Sequence, residues 1–272
     1  MEFSVRGDVL LEALTIAAGG RKPVIDGLYI KPTDKFVNIY GMNRGATMFS
    51  AVAIPMVAID YFDKGKSEPD EFYIGVTADM LKFLQTKTVK SGIVTFRILP
   101  DRVELELSGG RRKFSTLLPA DRIELPGDVV NNLKFDNGCI DLVIDDGVMF
   151  STEEFEVQGT IKTDTIYLNV SDSVAKMVVS DGVSQYETII GNVEDSVEAS
   201  VPFNYDTILN ISKLFRGFDV VDFCLKKIAL KISASSEDMY AFYLIVAAQD
   251  TRAEETEEEE TEEEEYYEEA DV

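Results

Sequence analysis

The chain contains no histidine and two cysteines, Cys139 and Cys224. Without an imidazole, Ser-His-Asp and Cys-His catalysis are excluded within this chain, and the commonest metal ligand is missing. The cysteines lie far apart with no metal-ligand spacing and read as reduced, buried thiols of an intracellular protein. Gly65-Lys66-Ser67 imitates the end of a phosphate-binding loop. Asp60 stands where the first glycine belongs and Glu68-Pro69 follows, so the glycine cradle and the helix start are both missing. Asp145, Asp146, Glu153 and Glu154 could hold a cation, but read first as a solvated acidic surface. Asn169-Val170-Ser171 and Asn210-Ile211-Ser212 match glycosylation sequons, which have no role inside a cell. No catalytic residue, no metal and no cofactor is expected, and the chain does not read as an enzyme.

What remains is binding chemistry. The chain carries 26 basic and 50 acidic residues for a net charge of −24. Residues Arg252 to Val272 hold 13 of the acids and one of the bases, which leaves the body with 37 acidic and 25 basic residues and a net of −12. Like-charge repulsion predicts a disordered tail over 252–272, a solubilising extension or else a DNA mimic or a docking segment for a basic partner. Contact with a polyanion must therefore be local, through a concentrated basic face. Candidates sit on two helical stretches. Lys82, Thr86 and Lys90 are spaced i, i+4, i+8, with Lys87 beside them, and Lys213 and Arg216 stand one turn apart. Arg21 and Lys22 follow a third, more acidic helix that shows Asp8, Glu12 and Thr15 outward.

The elements that must position these residues repeat. Residues Phe72 to Leu118 read as strand, helix and a three-strand meander. Met80, Leu81 and Leu84 form the buried helical face, and Gly92-Ile93-Val94-Thr95-Phe96-Arg97-Ile98 alternates as a half-buried strand does. Residues Val197 to Ala248 read the same way, with a helix from Asn204-Tyr205-Asp206 that buries Ile208, Leu209, Leu214 and Phe215. A capping Thr or Asn opens each helix and a glycine closes it. Asp79 and Asp206, at matching places, are 127 positions apart, so the period is a domain and not a solenoid unit. Each half also has an earlier portion: a strand at Met1 to Arg6, a helix over Asp8 to Ala18 stopped by Gly19-Gly20, then strands. In the second half the matching helix should fall within Asn137 to Ser151, although Cys139 to Ile144 alternates like a strand. The repeat predicts the helix, with Asp141 and Asp145 on its outer face; the periodicity predicts the strand. We follow the repeat. The fold class is α+β, with an N-terminal domain over 1–118, a connector over 119–132, a C-terminal domain over 133–251 and the tail. No apolar run approaches the roughly 20 residues that span a bilayer, and Met1 to Arg6 lacks the features of a secretory signal.

The body resembles the PCNA family of DNA sliding clamps. Ile74-Gly75-Val76-Thr77-Ala78-Asp79-Met80-Leu81-Lys82-Phe83-Leu84 is similar to the family's strand-to-helix segment. Phe242-Tyr243-Leu244-Ile245-Val246-Ala247-Ala248 is similar to its closing strand, and Ile123-Glu124-Leu125-Pro126 sits where its interdomain linker lies. Met42-Asn43-Arg44-Gly45-Ala46-Thr47 and Ala247-Ala248 depart from the family's pattern, as in a divergent, archaeal or archaeal-virus-like member. The resemblance implies tandem β-α-βββ-α-βββ domains with antiparallel sheets outside and four helices lining a ring, usually a trimer. It implies double-stranded DNA held without base readout by Lys82, Lys87, Lys90, Lys213, Arg216, Arg21 and Lys22. It implies a ring junction through Lys113, Phe114, Thr116 and Leu118 on one side and Tyr186, Thr188 and Ile190 on the other. A pocket at Met42, Ile123, Leu125, Ile245, Ala247 and Ala248 would take short hydrophobic peptides of DNA polymerase, clamp loader and other enzymes. The setting implied is cytoplasmic and nucleoid-associated for an archaeal or viral protein, nuclear for a eukaryotic one. The acidic first and third helices oppose a simple clamp, and they suit a second reading: a clamp-like decoy or regulator that forms no ring.

Overall fold

In the computed structural model, which describes residues 1–65, 69–144, 146–157, 163–194 and 197–248, the first repeat begins with β1 (Glu2–Arg6) and α1 (Gly7–Ala17). Strands β2 (Gly27–Pro32), β3 (Phe36–Met42), β4 (Met48–Pro55), β5 (Ile59–Asp63) and β6 (Phe72–Gly75) follow. Then come α2 (Ala78–Gln85), α3 (Lys87–Lys90) and the meander β7 (Ile93–Ile98), β8 (Arg102–Leu107) and β9 (Lys113–Leu117). The connector contains α4 (Gly127–Asn132), β10 (Leu133–Asp136) and β11 (Cys139–Leu142). The second repeat holds β12 (Val148–Thr152), β13 (Thr165–Ser171), β14 (Val174–Ser180), β15 (Gln185–Asn192) and β16 (Ala199–Asn204). It ends with α5 (Tyr205–Leu214), β17 (Val221–Lys226), β18 (Ala229–Ser235) and β19 (Tyr240–Val246).

Local chemistry sets the helix boundaries. The Thr77 hydroxyl accepts from the Met80 amide at 3.2 Å and caps α2, and Asn204 accepts from the Thr207 amide at 2.9 Å and caps α5. Helix α1 stops at Gly19 and Gly20, whose φ values of 72° and 132° suit glycine. Helix α2 buries Met80, Leu81 and Leu84. Helix α5 buries Tyr205, Ile208, Ile211 and Ser212, while Leu209 and Leu214, expected inside, are only partly covered. Thr86 has a ψ of 127° and breaks the helix between α2 and α3. Lys82, Thr86 and Lys90 therefore do not continue along one helical face.

The sheets repeat as the elements do. One has the order β5-β1-β7-β8-β9 and another the order β15-β14-β13-β16. The third runs β12-β17-β18-β19-β4-β3-β2-β6. Strands β4-β3-β2-β6 of the first repeat thus match β15-β14-β13-β16 of the second, and β1-β7-β8-β9 match β12-β17-β18-β19. The eight-stranded sheet joins the two repeats where β19 pairs antiparallel with β4, from Tyr240 opposite Ala53 to Ile245 opposite Met48. Helices α1, α2, α3 and α5 pack on one side of these sheets over a continuous core that includes Phe3, Leu10, Leu14, Phe96, Phe203, Phe215 and Phe223. Each such side chain contributes roughly 1.5–3 kcal/mol by leaving water. The Tyr243 hydroxyl donates to the Ile16 carbonyl and Ser50 to Ala17, so α1 of the first repeat is pinned to the joint between the repeats.

One expectation fails. The described residues of 137–151 form no helix. Asn137 and Gly138, with φ of 49° and 87°, make the two-residue turn between β10 and β11; positive φ at both positions is what a tight hairpin turn of this kind needs, and Asn-Gly supplies it. Local alternation and turn chemistry override the repeat here. By sheet position β12 is the second repeat's counterpart of β1, and the β10–β11 hairpin precedes it as a sheet of its own. Between β12 and β13, where the first repeat has α1, the described residues contain no helix. Phe155, its ring 5.1 Å from that of Phe223 at 88°, and Val157 fill the core there. Of the four expected inner helices, three positions are occupied among the described residues. Glu153 and Glu154 are exposed in this segment, and no cluster of candidate metal ligands is found among the described residues. Lys66, Ser67, Asp145 and the acidic tail lie outside the described residues.

Candidate functional site

Helices α1 and α5 run beside each other on the helical side of the sheets and leave an open groove of about 920 Å³. Its basic groups are Arg21, Lys22, Lys90 and Lys213. They come from three places: the turn after α1, the end of α3 and the last turn of α5. Among the described residues none of the four sits within ion-pair distance of a carboxylate, so all are available to an external anion. The other three expected cations do not join them. Lys82 is 3.1 Å from Asp79 and Arg216 is 2.8 Å from Glu156. Lys87 is exposed at the start of α3, away from the groove lining.

The groove is not purely basic. Asp8, Glu12 and Asp206 also line it. Arg6 holds Asp8 at 2.9 Å, which keeps that carboxyl below its ordinary range and spends its charge locally. Glu12 is different. Partial burial, and then the neighbouring charges of Asp238 and Asp8, push its carboxyl up, with Lys90 opposing. The acidic third helix expected at Asp141 does not exist: Asp141 lies on β11, 2.6 Å from Lys231 and 3.1 Å from the Tyr240 hydroxyl, on the other side of the sheet.

Strands β9 and β15 each end a sheet, as do β5, β6, β12 and β16. They carry the expected junction residues: Lys113, Phe114 and Thr116 on β9 with Leu118 just beyond, and Tyr186, Thr188 and Ile190 on β15. Edge strands present free N–H and C=O groups to another chain. Leu117 on β9 is 73% exposed and Ile189 on β15 is 64% exposed. Neither was singled out from sequence; the period of two leaves open which side of an edge strand is covered. The β9 end is basic, with Arg111, Arg112 and Lys113 exposed, whereas β15 shows Glu187 and the turn before it Asp181. The Thr188 hydroxyl is buried without a hydrogen-bond partner.

The six positions expected to form a peptide pocket do not meet. Ile245 points into the core beneath the helices and Ala247 packs against that core. Met42 and Leu125 lie on the outer face of the eight-stranded sheet. Ile123 holds the connector there by its main chain, accepting from the Tyr29 hydroxyl at 2.7 Å and donating to Tyr73 at 3.1 Å. Ala248 donates its amide to the Pro202 carbonyl at 2.8 Å. One residue of register decides this: on β19 the outer face belongs to Tyr240, Phe242 and Leu244.

That outer face is aromatic and it is covered. Tyr29, Tyr40, Phe49, Tyr73 and Phe242 form its floor, with the Tyr29 and Tyr40 rings stacked at 5.5 Å. The β10–β11 hairpin lies on it through Leu133, Phe135, Ile140 and Leu142, and α4 adds Val129. Asn38, with no exposed surface, donates to the Gly138 carbonyl at 2.9 Å and accepts from the Ile140 amide at 2.8 Å. Thr33 also donates to Gly138, at 2.9 Å, and the Lys31 ammonium stands 4.1 Å from the Phe135 ring. Both cysteines lie on this side, Cys139 in the hairpin with its thiol pushed up to about 11 by burial and by Asp141. Neither is poised as a nucleophile. The Asn137-Gly138 pair was the signal for this hairpin.

No family model and no curated protein matches the sequence significantly. Solved structures match the fold over nearly the whole body. One is the PCNA2–PCNA3 complex of Sulfolobus tokodaii, with a TM-score of 0.67 and 16% identity over 91% of this chain and 99% of the other. A second is PCNA from Entamoeba histolytica, with a TM-score of 0.68 and 12% identity over 91% and 98%. A third is the C-terminal region of FEN-1 bound to A. fulgidus PCNA, with a TM-score of 0.68 and 12% identity over 92% and 99%. The fold is the clamp fold of these proteins.

Proposed function

We propose, from the clamp fold this chain shares with those structures, that it is one protomer of a ring that encircles double-stranded DNA and tethers DNA polymerase and other enzymes to it. The carrying observation is the joint between its own repeats. The strand that ends the second meander, β19, pairs with β4, the outermost strand of the first repeat's four. By the match between repeats, β9 corresponds to β19 and β15 to β4, and each of these two ends its sheet with one side open. Joining β9 of one copy to β15 of the next repeats the internal joint and covers both of these edges once the ring closes. The basic end of β9 and the acidic residues at β15 favour this head-to-tail pairing over like with like.

The groove with Arg21, Lys22, Lys90 and Lys213 then belongs to the helical side, which faces the hole. Those cations contact phosphates without reading bases. The role is binding, with no catalytic step assigned to the chain, and a clamp loader is the expected source of opening. Three copies per ring is the expected number. Light scattering coupled to size exclusion tests assembly, and polymerase processivity on a primed circular template tests tethering. A monomer at micromolar concentration that leaves processivity unchanged sinks this reading and favours the ring-less regulator.

A further inference from the structure

We propose that the connector hairpin is a built-in occupant of the sheet's outer face, and that a partner reaches this face by displacing it with a short apolar segment bearing a carboxylate. The inference deepens the tethering part of the proposed function. Strands β10 and β11 pair only with each other and form a sheet of their own. Two four-residue strands are not stable alone, so the hairpin persists because one face of it is docked. No main-chain ladder of the body depends on it. It is held by side chains: Phe135, Ile140 and Leu142 enter the aromatic floor, Asn38 grips the main chain at Gly138 and Ile140, and Lys231 with Tyr240 holds Asp141.

Each of these grips can be satisfied in trans. Asn38 reads a main-chain carbonyl and amide, which any extended segment offers. The floor takes alternate apolar side chains. Lys231, with 13% of its side chain exposed, and the Tyr240 hydroxyl require a carboxylate, because an unpaired half-buried ammonium is costly. An incoming segment with these three features replaces the hairpin group for group. One without them leaves the aromatic floor or Lys231 uncompensated.

Hydrogen exchange of the full chain, followed by mass spectrometry on fragments covering 133–144 and 36–42, tests this without DNA or a client enzyme. The 133–144 amides are expected to exchange at least about 100-fold faster than those of β3, as a unit that opens separately from the body does. Asp141→Asn should raise the hairpin rate about tenfold, the loss of one charge-assisted contact, and leave β3 unchanged. A synthetic peptide copying residues 133–144, with serine for its cysteine, should raise the hairpin rate saturably at millimolar concentration. The same peptide with asparagine for its aspartate should do so less. Hairpin and β3 amides that exchange together, or a peptide without effect, overturn the proposal. Ring assembly, read separately by light scattering, is untouched by either result.

Discussion

The Asn38 side chain stands 2.8 Å from the Ile140 amide, 102 residues further along the chain, and neither group has any exposure. This contact ties the first repeat to the connector. Its two partners come from a strand of the first repeat and a hairpin that the repeat argues against.

Asn38→Leu keeps the bulk but leaves the Ile140 amide without its acceptor, while the Gly138 carbonyl keeps the Thr33 hydroxyl. An orphaned buried polar group costs about 1–3 kcal/mol. Urea unfolding should show a loss in that range. A loss under half a kilocalorie, at unchanged urea dependence, would mean water replaces the amide and the hairpin is held by its apolar contacts alone.

Ile189→Lys places a cation on β15, where the proposed neighbour brings Arg111, Arg112 and Lys113. Self-association should weaken at least about tenfold, the effect of one like-charge contact at an interface. Light scattering across a concentration series reads it. Leu117→Glu on β9 should act likewise, by meeting the acidic side. Unchanged mass for both variants places the contact between copies elsewhere.

Lys213→Glu combined with Arg21→Glu should remove two phosphate contacts from the groove. The slope of log affinity for duplex DNA against log salt should shrink by about 2, since each contact contributes close to 0.9. Lys82→Glu should change the slope less, because Lys82 is already paired with Asp79 at 3.1 Å. Equal effects from all three positions would show a diffuse field instead of a built groove.

Glu12 supplies a pH prediction. Its carboxyl is raised in the folded chain by partial burial and by Asp238 and Asp8. The folded state therefore holds its proton more tightly than the unfolded state. That contribution is fully present below the unfolded value and is lost as pH rises through the raised folded value. Glu12→Gln should accordingly stabilise the chain at neutral pH and have little effect in acid, below the ordinary glutamate range. It should also tighten DNA binding at neutral pH by removing a negative charge beside Lys90. Calorimetric melting at the two pH values checks the sign, and destabilisation at neutral pH would contradict it.

Much of the fold was legible because its signals are local. Thr77 and Asn204 announce their helices by capping, and Met80, Leu81 and Leu84 share a face at helical spacing. The alternation of β7 and β8 needs no partner to be seen. Where sequence and structure part, a local signal overrides a long-range analogy. Asn137-Gly138 between alternating runs specifies a hairpin, yet the match between repeats argued for a helix there. The candidate site was less legible. Arg21, Lys22, Lys90 and Lys213 were all named, but spacing grouped Lys90 with Lys82 and Lys213 with Arg216. Folding groups Lys90 and Lys213 with the turn after α1.

By itself the sequence determined the absence of histidine chemistry, the acidic balance, the two repeats and which side chains alternate within each strand. Those properties depend on residue type and on neighbours a few positions away. Only the tertiary structure decided that Ile245 faces the helices while Leu244 faces outward, that Asp141 answers Lys231 across the connector, and that four cations converge between α1 and α5. A period of two fixes which residues share a face. It cannot say what covers that face, because the covering groups arrive from elements a hundred or more residues away.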